Sequence, residues 1–138
     1  MSRGTTICLA IAIVATAGCG GGGTLSKKDL QKQAEAVQSF AAEGALVAQS
    51  AEEGRSTDTF VRVHSEYLTK AARKVETELG SKHASGGLEQ RREDTSKLAL
   101  LVSEHLDRLH RNPGDRDLAA RLSLALAKNA ASAEELAK

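Results

Sequence analysis

Aromatic side chains are scarce in this sequence. The 138 residues include no tryptophan, one tyrosine and two phenylalanines, which are Phe40, Phe60 and Tyr67. Proteins that bind single-stranded nucleic acid stack the bases on aromatic side chains along a basic groove. The chain has few aromatic side chains, and its formal net charge of only +1 gives no sign of a basic groove. The sequence therefore predicts no nucleic-acid partner.

Catalytic and metal-binding motifs are missing as well. The sequence contains no His-Glu-x-x-His, no Gly-x-Ser-x-Gly, no Cys-x-x-Cys and no phosphate-binding glycine loop. Di-iron sites in helical bundles use Glu-x-x-His, but the residues three positions before His64 and His105 are valines. The sequence therefore predicts a protein that is not an enzyme and that holds no cofactor and no metal.

The first 18 residues have the pattern of a secretory signal. Arg3 precedes an uncharged, mostly apolar run over residues 7–17. A membrane-spanning helix needs about 20 apolar residues, so this run is too short to cross a bilayer. A basic start, a short apolar run and small residues at its end are typical of a signal peptide.

The end of this segment carries a more specific motif. Thr16-Ala17-Gly18-Cys19 resembles the lipobox of bacterial lipoproteins, and the resemblance covers only residues 1–19. It implies that residues 1–18 are removed and that Cys19 is acylated, with palmitate among the usual chains. It also implies attachment to a cell-envelope membrane on the extracytoplasmic side. The alternative is an ordinary signal peptide with a cysteine at this place by chance.

Cysteine usage and the next residues agree with the lipobox. Cys8 would leave with the signal, and Cys19 would remain as a lone thiol in an oxidising compartment unless it is modified. Gly20 to Gly23 cannot pack and are typical of a flexible tether. We therefore predict an acylated cysteine and tether over residues 19–25 and a folded domain over residues 26–138.

The folded domain is predicted to be all-α. The single proline and the few β-branched residues beyond position 25 argue against a sheet. Apolar residues recur at three- and four-residue steps, which is the helical period. Turn and capping signals at Ser26, Gly54, Gly80 and Asn112-Pro113 divide the pattern. They predict four helices, over about 26–53, 57–79 and 88–111, and from Pro113 onward.

Four amphipathic helices joined by short turns favour an antiparallel up-down four-helix bundle. Two helical hairpins that pair only in a dimer would satisfy the same pattern. No family is recognised for residues 25–138.

Two histidines interrupt the apolar stripes. His64 and His105 stand where leucine would be expected, and counting from the turn between their helices places them at nearly the same height. Glu43 is expected about one turn away. One interpretation is a polar, pH-sensitive layer in which the imidazoles face each other or Glu43. The other is a pair of unrelated, partly exposed histidines.

These features favour a non-catalytic binding or scaffolding lipoprotein of the cell envelope. The membrane would be one partner, through the lipid at Cys19, and an envelope protein would be another. The main alternative is a helical bundle that binds a small ligand or metal with its internal histidines. An enzyme with a site of no known motif type is the third interpretation.

Overall fold

The computed structural model describes residues 23–138. The predictions for the signal peptide, residues 1–18, and for acylation of Cys19 fall outside the described residues. They stay predictions.

Four helices make up the described part of the chain. They are α1 (Lys27–Glu52), α2 (Asp58–Gly80), α3 (Glu89–Arg111) and α4 (Arg116–Ala137). Within residues 23–138 the only β-type pairing is an isolated bridge between Leu25 and Ala84. The prediction of an all-α, antiparallel up-down bundle is confirmed.

The start of α1 is fixed by the residues that the sequence indicates. The Ser26 hydroxyl accepts a hydrogen bond from the Asp29 backbone N–H at 3.2 Å, and the Asp29 carboxylate accepts one from the Ser26 backbone N–H at 3.0 Å. This reciprocal capping box satisfies two N–H groups that the helix leaves free. The hydrogen bonds from Ser26 hold the pKa of the Asp29 carboxyl below its usual value.

The predicted start of α4 is wrong by three residues. The sequence predicts Asn112 as the N-cap of α4 and Pro113 as the first residue of that helix. Instead the Asn112 amide donates to the Arg108 carbonyl at 2.9 Å and so serves the end of α3. Asp115 is the N-cap of α4, because its carboxylate accepts the Leu118 N–H at 2.9 Å. A carboxylate on the first free N–H groups also complements the helix dipole.

The helices pack as two close pairs, α1 with α4 and α2 with α3. A third close approach, between α1 and α3, is possible because residue 44 is glycine: a Cβ there would fall 2.5 Å from Leu106 Cδ2 on α3 and 3.3 Å from Leu126 Cδ1 on α4. Leu106 and Leu126 are completely buried. This layer of Gly44, Leu106 and Leu126 joins three helices.

The chain enters the bundle earlier than predicted. Leu25 is buried, and its N–H donates to the His83 carbonyl at 2.8 Å, in the loop between α2 and α3. Leu25, which the sequence assigns to the tether, is therefore attached to the α2–α3 loop. We call this end of the bundle the proximal end. The other end, with the α1–α2 and α3–α4 turns, is the distal end.

No helix within residues 23–138 has the length and apolar character that crossing a membrane requires.

Candidate functional site

His64 is held at the seam between α2 and α1. Its Nε2 lies 2.6 Å from Glu43 Oε1, so that a ring N–H donates to the carboxylate across the seam. The imidazole also stacks on Phe60, with ring centroids 5.3 Å apart and planes 11° apart. The centroid of the Tyr67 ring lies 6.3 Å from that of the imidazole. The structure thus joins two of the three residues of the polar layer that the sequence suggests.

His105 lies at a different seam, between α3 and α4. Its Nδ1 is 3.1 Å from Asn129 Nδ2. An amide N–H can donate only to an unprotonated ring nitrogen, so this contact needs His105 in its neutral form. Burial, and secondarily the charge of Arg108, lowers the pKa of His105 below its usual value. Both effects disfavour the protonated ring.

The two histidines share a level of the bundle but not a site. Glu43 precedes Gly44, and Leu106 follows His105, so both polar pairs flank the Gly44–Leu106 contact. In the square of four helices, the α1–α2 and α3–α4 seams are opposite sides, with this apolar contact between them. Hence the imidazoles do not face each other, and they cannot share one ion or ligand.

The residues described offer no alternative set of ligands. Within residues 23–138, no three His, Cys, Asp or Glu side chains converge closely enough to hold a metal ion.

The surface around His64 is the unusual part of the molecule. Phe60, Val63 and Tyr67 lie three and four residues apart on α2, so they form one outward stripe with His64 beside it. Leu46 on α1 adds to it. Their exposed fractions are 49% for Phe60, 62% for Val63, 64% for Tyr67 and 66% for Leu46. We call these four residues and His64 the aromatic face.

Two shallow hollows run along the aromatic face. One has a volume of about 480 Å³ beside Phe60, Val63 and His64. The other, of about 380 Å³, lies over the seam between Leu46 and Phe60. Both are open to solvent, and neither collects charged side chains in the way that a small polar ligand requires. Such a surface suits contact with another macromolecule rather than enclosure of a small molecule.

Sequence reasoning missed the aromatic face. The helical period alone gives Phe60, Val63 and Tyr67 no separate role. The signal was present, because residues 60, 63 and 67 keep the helical spacing on the side of α2 away from Val61 and Leu68. Two of the three aromatic residues in the chain lie on this stripe.

Comparison of the chain with protein-family models, with curated proteins and with solved structures gave no match.

Proposed function

We propose that this chain is a membrane-anchored lipoprotein of the cell envelope whose helical domain is a non-catalytic binding or scaffolding module. The aromatic face is its binding surface. The observation that carries the proposal is the exposure of Leu46, Phe60, Val63 and Tyr67 as one contiguous patch in a domain with so few large side chains.

Exposed apolar patches of this kind mark interaction sites. Large contiguous apolar areas are uncommon on proteins that act alone, and a single exposed tyrosine or phenylalanine can contribute an area of order 100 Å². Tyrosine and phenylalanine are also enriched in the centres of protein interfaces. His64 and Glu43 supply a polar element within the patch, at a fixed separation of 2.6 Å. A partner can therefore meet an apolar centre with one oriented hydrogen-bonding group.

The position of the aromatic face fits an anchor at Cys19. The six residue-to-residue steps from Cys19 to Leu25 can span at most about 20 Å, which keeps the proximal end close to the membrane. From there, α1 rises about 1.5 Å per residue, so Leu46 lies roughly 30 Å farther out. An anchored domain would thus present the aromatic face beyond the lipid headgroups, where an envelope protein can reach it.

The anchor is tested by the intact mass of the mature protein. We expect a chain that begins at Cys19 and carries the added mass of acyl chains on that residue. Cys19→Ala should release the protein from membranes. Cys8→Ser is the matched control and should leave the anchored mature protein unchanged, because Cys8 lies before the expected cleavage site. A mature N-terminus at another residue, or an unmodified Cys19, would contradict the anchor.

The aromatic face is tested by native electrophoresis of mildly solubilised membranes. Val63→Ser with Tyr67→Ser should reduce the apparent size to that of the monomer, while the wild type migrates more slowly, as a larger complex. Leu100→Ser with Leu124→Ser is the matched control, since both leucines are exposed elsewhere. Circular dichroism shows whether each variant remains folded. Equal migration of the two double variants would contradict this role of the aromatic face.

A further inference from the structure

A third hollow lies at the seam between α2 and α3. It has a volume of about 190 Å³, and side chains of both helices line it: Glu66, Thr69, Lys70, Arg73, Asp107 and His110. Five of these six side chains are ionisable, whereas each hollow of the aromatic face is built around Phe60. We call it the α2–α3 hollow. It lies on the α3 side of α2, while the contact of His64 with Glu43 lies on the α1 side.

Both carboxylates of the α2–α3 hollow have a cation at one oxygen. Lys70 Nζ donates to Glu66 Oε1 at 2.6 Å, and Arg111 donates to Asp107 Oδ2 at 2.8 Å, each within one helix. A carboxylate has two oxygens that together can accept about four hydrogen bonds. Glu66 and Asp107 can therefore accept a further N–H donor without losing the partners that they have.

The ring of His110 is held in one tautomer. Its Nδ1 lies 3.0 Å from the Arg62 carbonyl oxygen, which can only accept, so Nδ1 carries the hydrogen. In the neutral ring Nε2 is then an acceptor as well. Within residues 23–138, no three acidic, histidine or cysteine side chains converge closely enough for a metal ion. The acceptors at the distal part of the hollow therefore suit an organic ammonium group.

Arg73 lies at the proximal part of the α2–α3 hollow and forms no ion pair within residues 23–138. Counting from the contact between Arg62 and His110 along the antiparallel helices places Ala99 opposite Arg73, so α3 supplies no carboxylate at this level. Glu76, the next acid on α2, accepts from the Thr77 hydroxyl instead. A guanidinium has five N–H donors in a planar fork that matches a carboxylate. The proximal part of the hollow thus offers donors that lack an acceptor.

We propose that the α2–α3 hollow binds a small zwitterion with one ammonium and one carboxylate group, which is an amino acid or a dipeptide. The ligand's carboxylate pairs with Arg73, and its ammonium group donates to Glu66, Asp107 or His110 Nε2. The volume equals the share of about six water molecules in the liquid, which fits a ligand of this size. The site goes beyond the proposed function and depends neither on the anchor nor on the aromatic face.

Ligand-observed NMR titration of the full chain in mild detergent tests the site. The probes are alanine and the dipeptide alanylalanine, with acetate and ethylamine as the two halves of a zwitterion. Alanine or the dipeptide should bind saturably and more tightly than either half, and the tighter of the two identifies the source of the ligand. Arg73→Gln should weaken that binding by about fivefold or more, because it removes the charged fork. Asp107→Asn should weaken binding of the zwitterion without weakening that of acetate.

Arg121→Gln is the matched control, because Arg121 is exposed on α4 and does not line the α2–α3 hollow. This variant should bind the probes as the wild type does, and circular dichroism shows whether each variant remains folded. The proposal is overturned if no probe binds saturably, if acetate binds as tightly as both zwitterions, or if Arg73→Gln leaves the affinity unchanged. Each of these results would leave the proposed anchor and the aromatic face as they are, since other measurements test those.

Discussion

The α1–α2 seam and the α3–α4 seam treat a histidine in opposite ways at the same level of the bundle. At the first, His64 donates to Glu43 beside exposed aromatic rings. At the second, His105 contacts Asn129 and is half-buried, and burial lowers its pKa. His64 thus has a charged partner, Glu43, at a solvent-exposed seam, and His105 has a neutral partner, Asn129, at a shielded seam. In both cases a hydrogen bond satisfies an imidazole that stands on an apolar stripe. The difference is between a polar pair exposed at the surface and a polar pair partly shielded between helices.

The largest effect is expected in the layer between the two seams. Leu106 is fully buried against Gly44, so Leu106→Ala should lower the free energy of unfolding by about 2 to 5 kcal/mol. Leu101→Ala, at a residue of the same helix that is 40% exposed, should cost far less. Urea denaturation of both variants measures the difference. Equal losses would show that the seams are not separated by a packed layer.

A second prediction concerns the close approach at Gly44. Gly44→Val should destabilise the protein by about 1 to 3 kcal/mol, because its Cβ and methyl groups would meet Leu106 and Leu126. Gly80→Ala is the control, since a Cβ there meets nothing within 4 Å. Thermal unfolding of the two variants checks this. A Gly44→Val protein as stable as the wild type would contradict the contact between α1 and α3.

The pH dependence of stability sharpens the comparison further. The pKa of His105 is lowered in the folded state, so below about pH 6.5 the unfolded chain takes up a proton that the folded chain resists. The stability that neutral His105 contributes is therefore present above pH 6.5. It is lost as the pH falls through the pKa that His105 has in the folded protein. Thermal unfolding from pH 7.5 to 5.5 should show the decline. His105→Gln should reduce it, and an unchanged slope would show that His105 is not the cause.

The smallest effect is expected at the exposed seam. Glu43→Gln removes the charge that faces His64 but keeps a group that can accept a hydrogen bond. The contact is exposed to solvent, where even a pair of opposite charges contributes only about 0 to 1 kcal/mol, so the stability should change by no more than that. Denaturant titration at pH 7 provides the measurement. A loss above about 2 kcal/mol would mean that the pair supports the fold rather than a binding surface.

Most of the fold could be predicted from local signals. The sequence places the start of α1 at Ser26, and the structure shows the cap there, formed with Asp29. It places the end of α1 at Gly54, which has a positive φ of +67°. The apolar periodicity between such signals predicts the helices themselves. The start of α4 could not be predicted, because Asn112 is a good cap for either helix. Only the folded geometry shows its amide on the Arg108 carbonyl.

The candidate site was harder to predict, since a helical spacing does not say which stripe is buried. In α2, the stripe through Val61, Leu68 and Ala72 and the stripe through Phe60, Val63 and Tyr67 have the same period. Packing against α1 and α3 buries the first and exposes the second. The same ambiguity holds in α3, where Leu106 is completely buried and Leu101 is 40% exposed.

Photo-cross-linking in intact cells tests the central claim most directly, that the α1–α2 surface is the binding surface of an anchored protein. A photoreactive side chain in place of Val63 should give a covalent adduct of higher mass on illumination. The same side chain in place of Leu124, which is 75% exposed on α4, should give none. No adduct at Val63, or an equal adduct at Leu124, would contradict the assignment of the aromatic face as the binding surface.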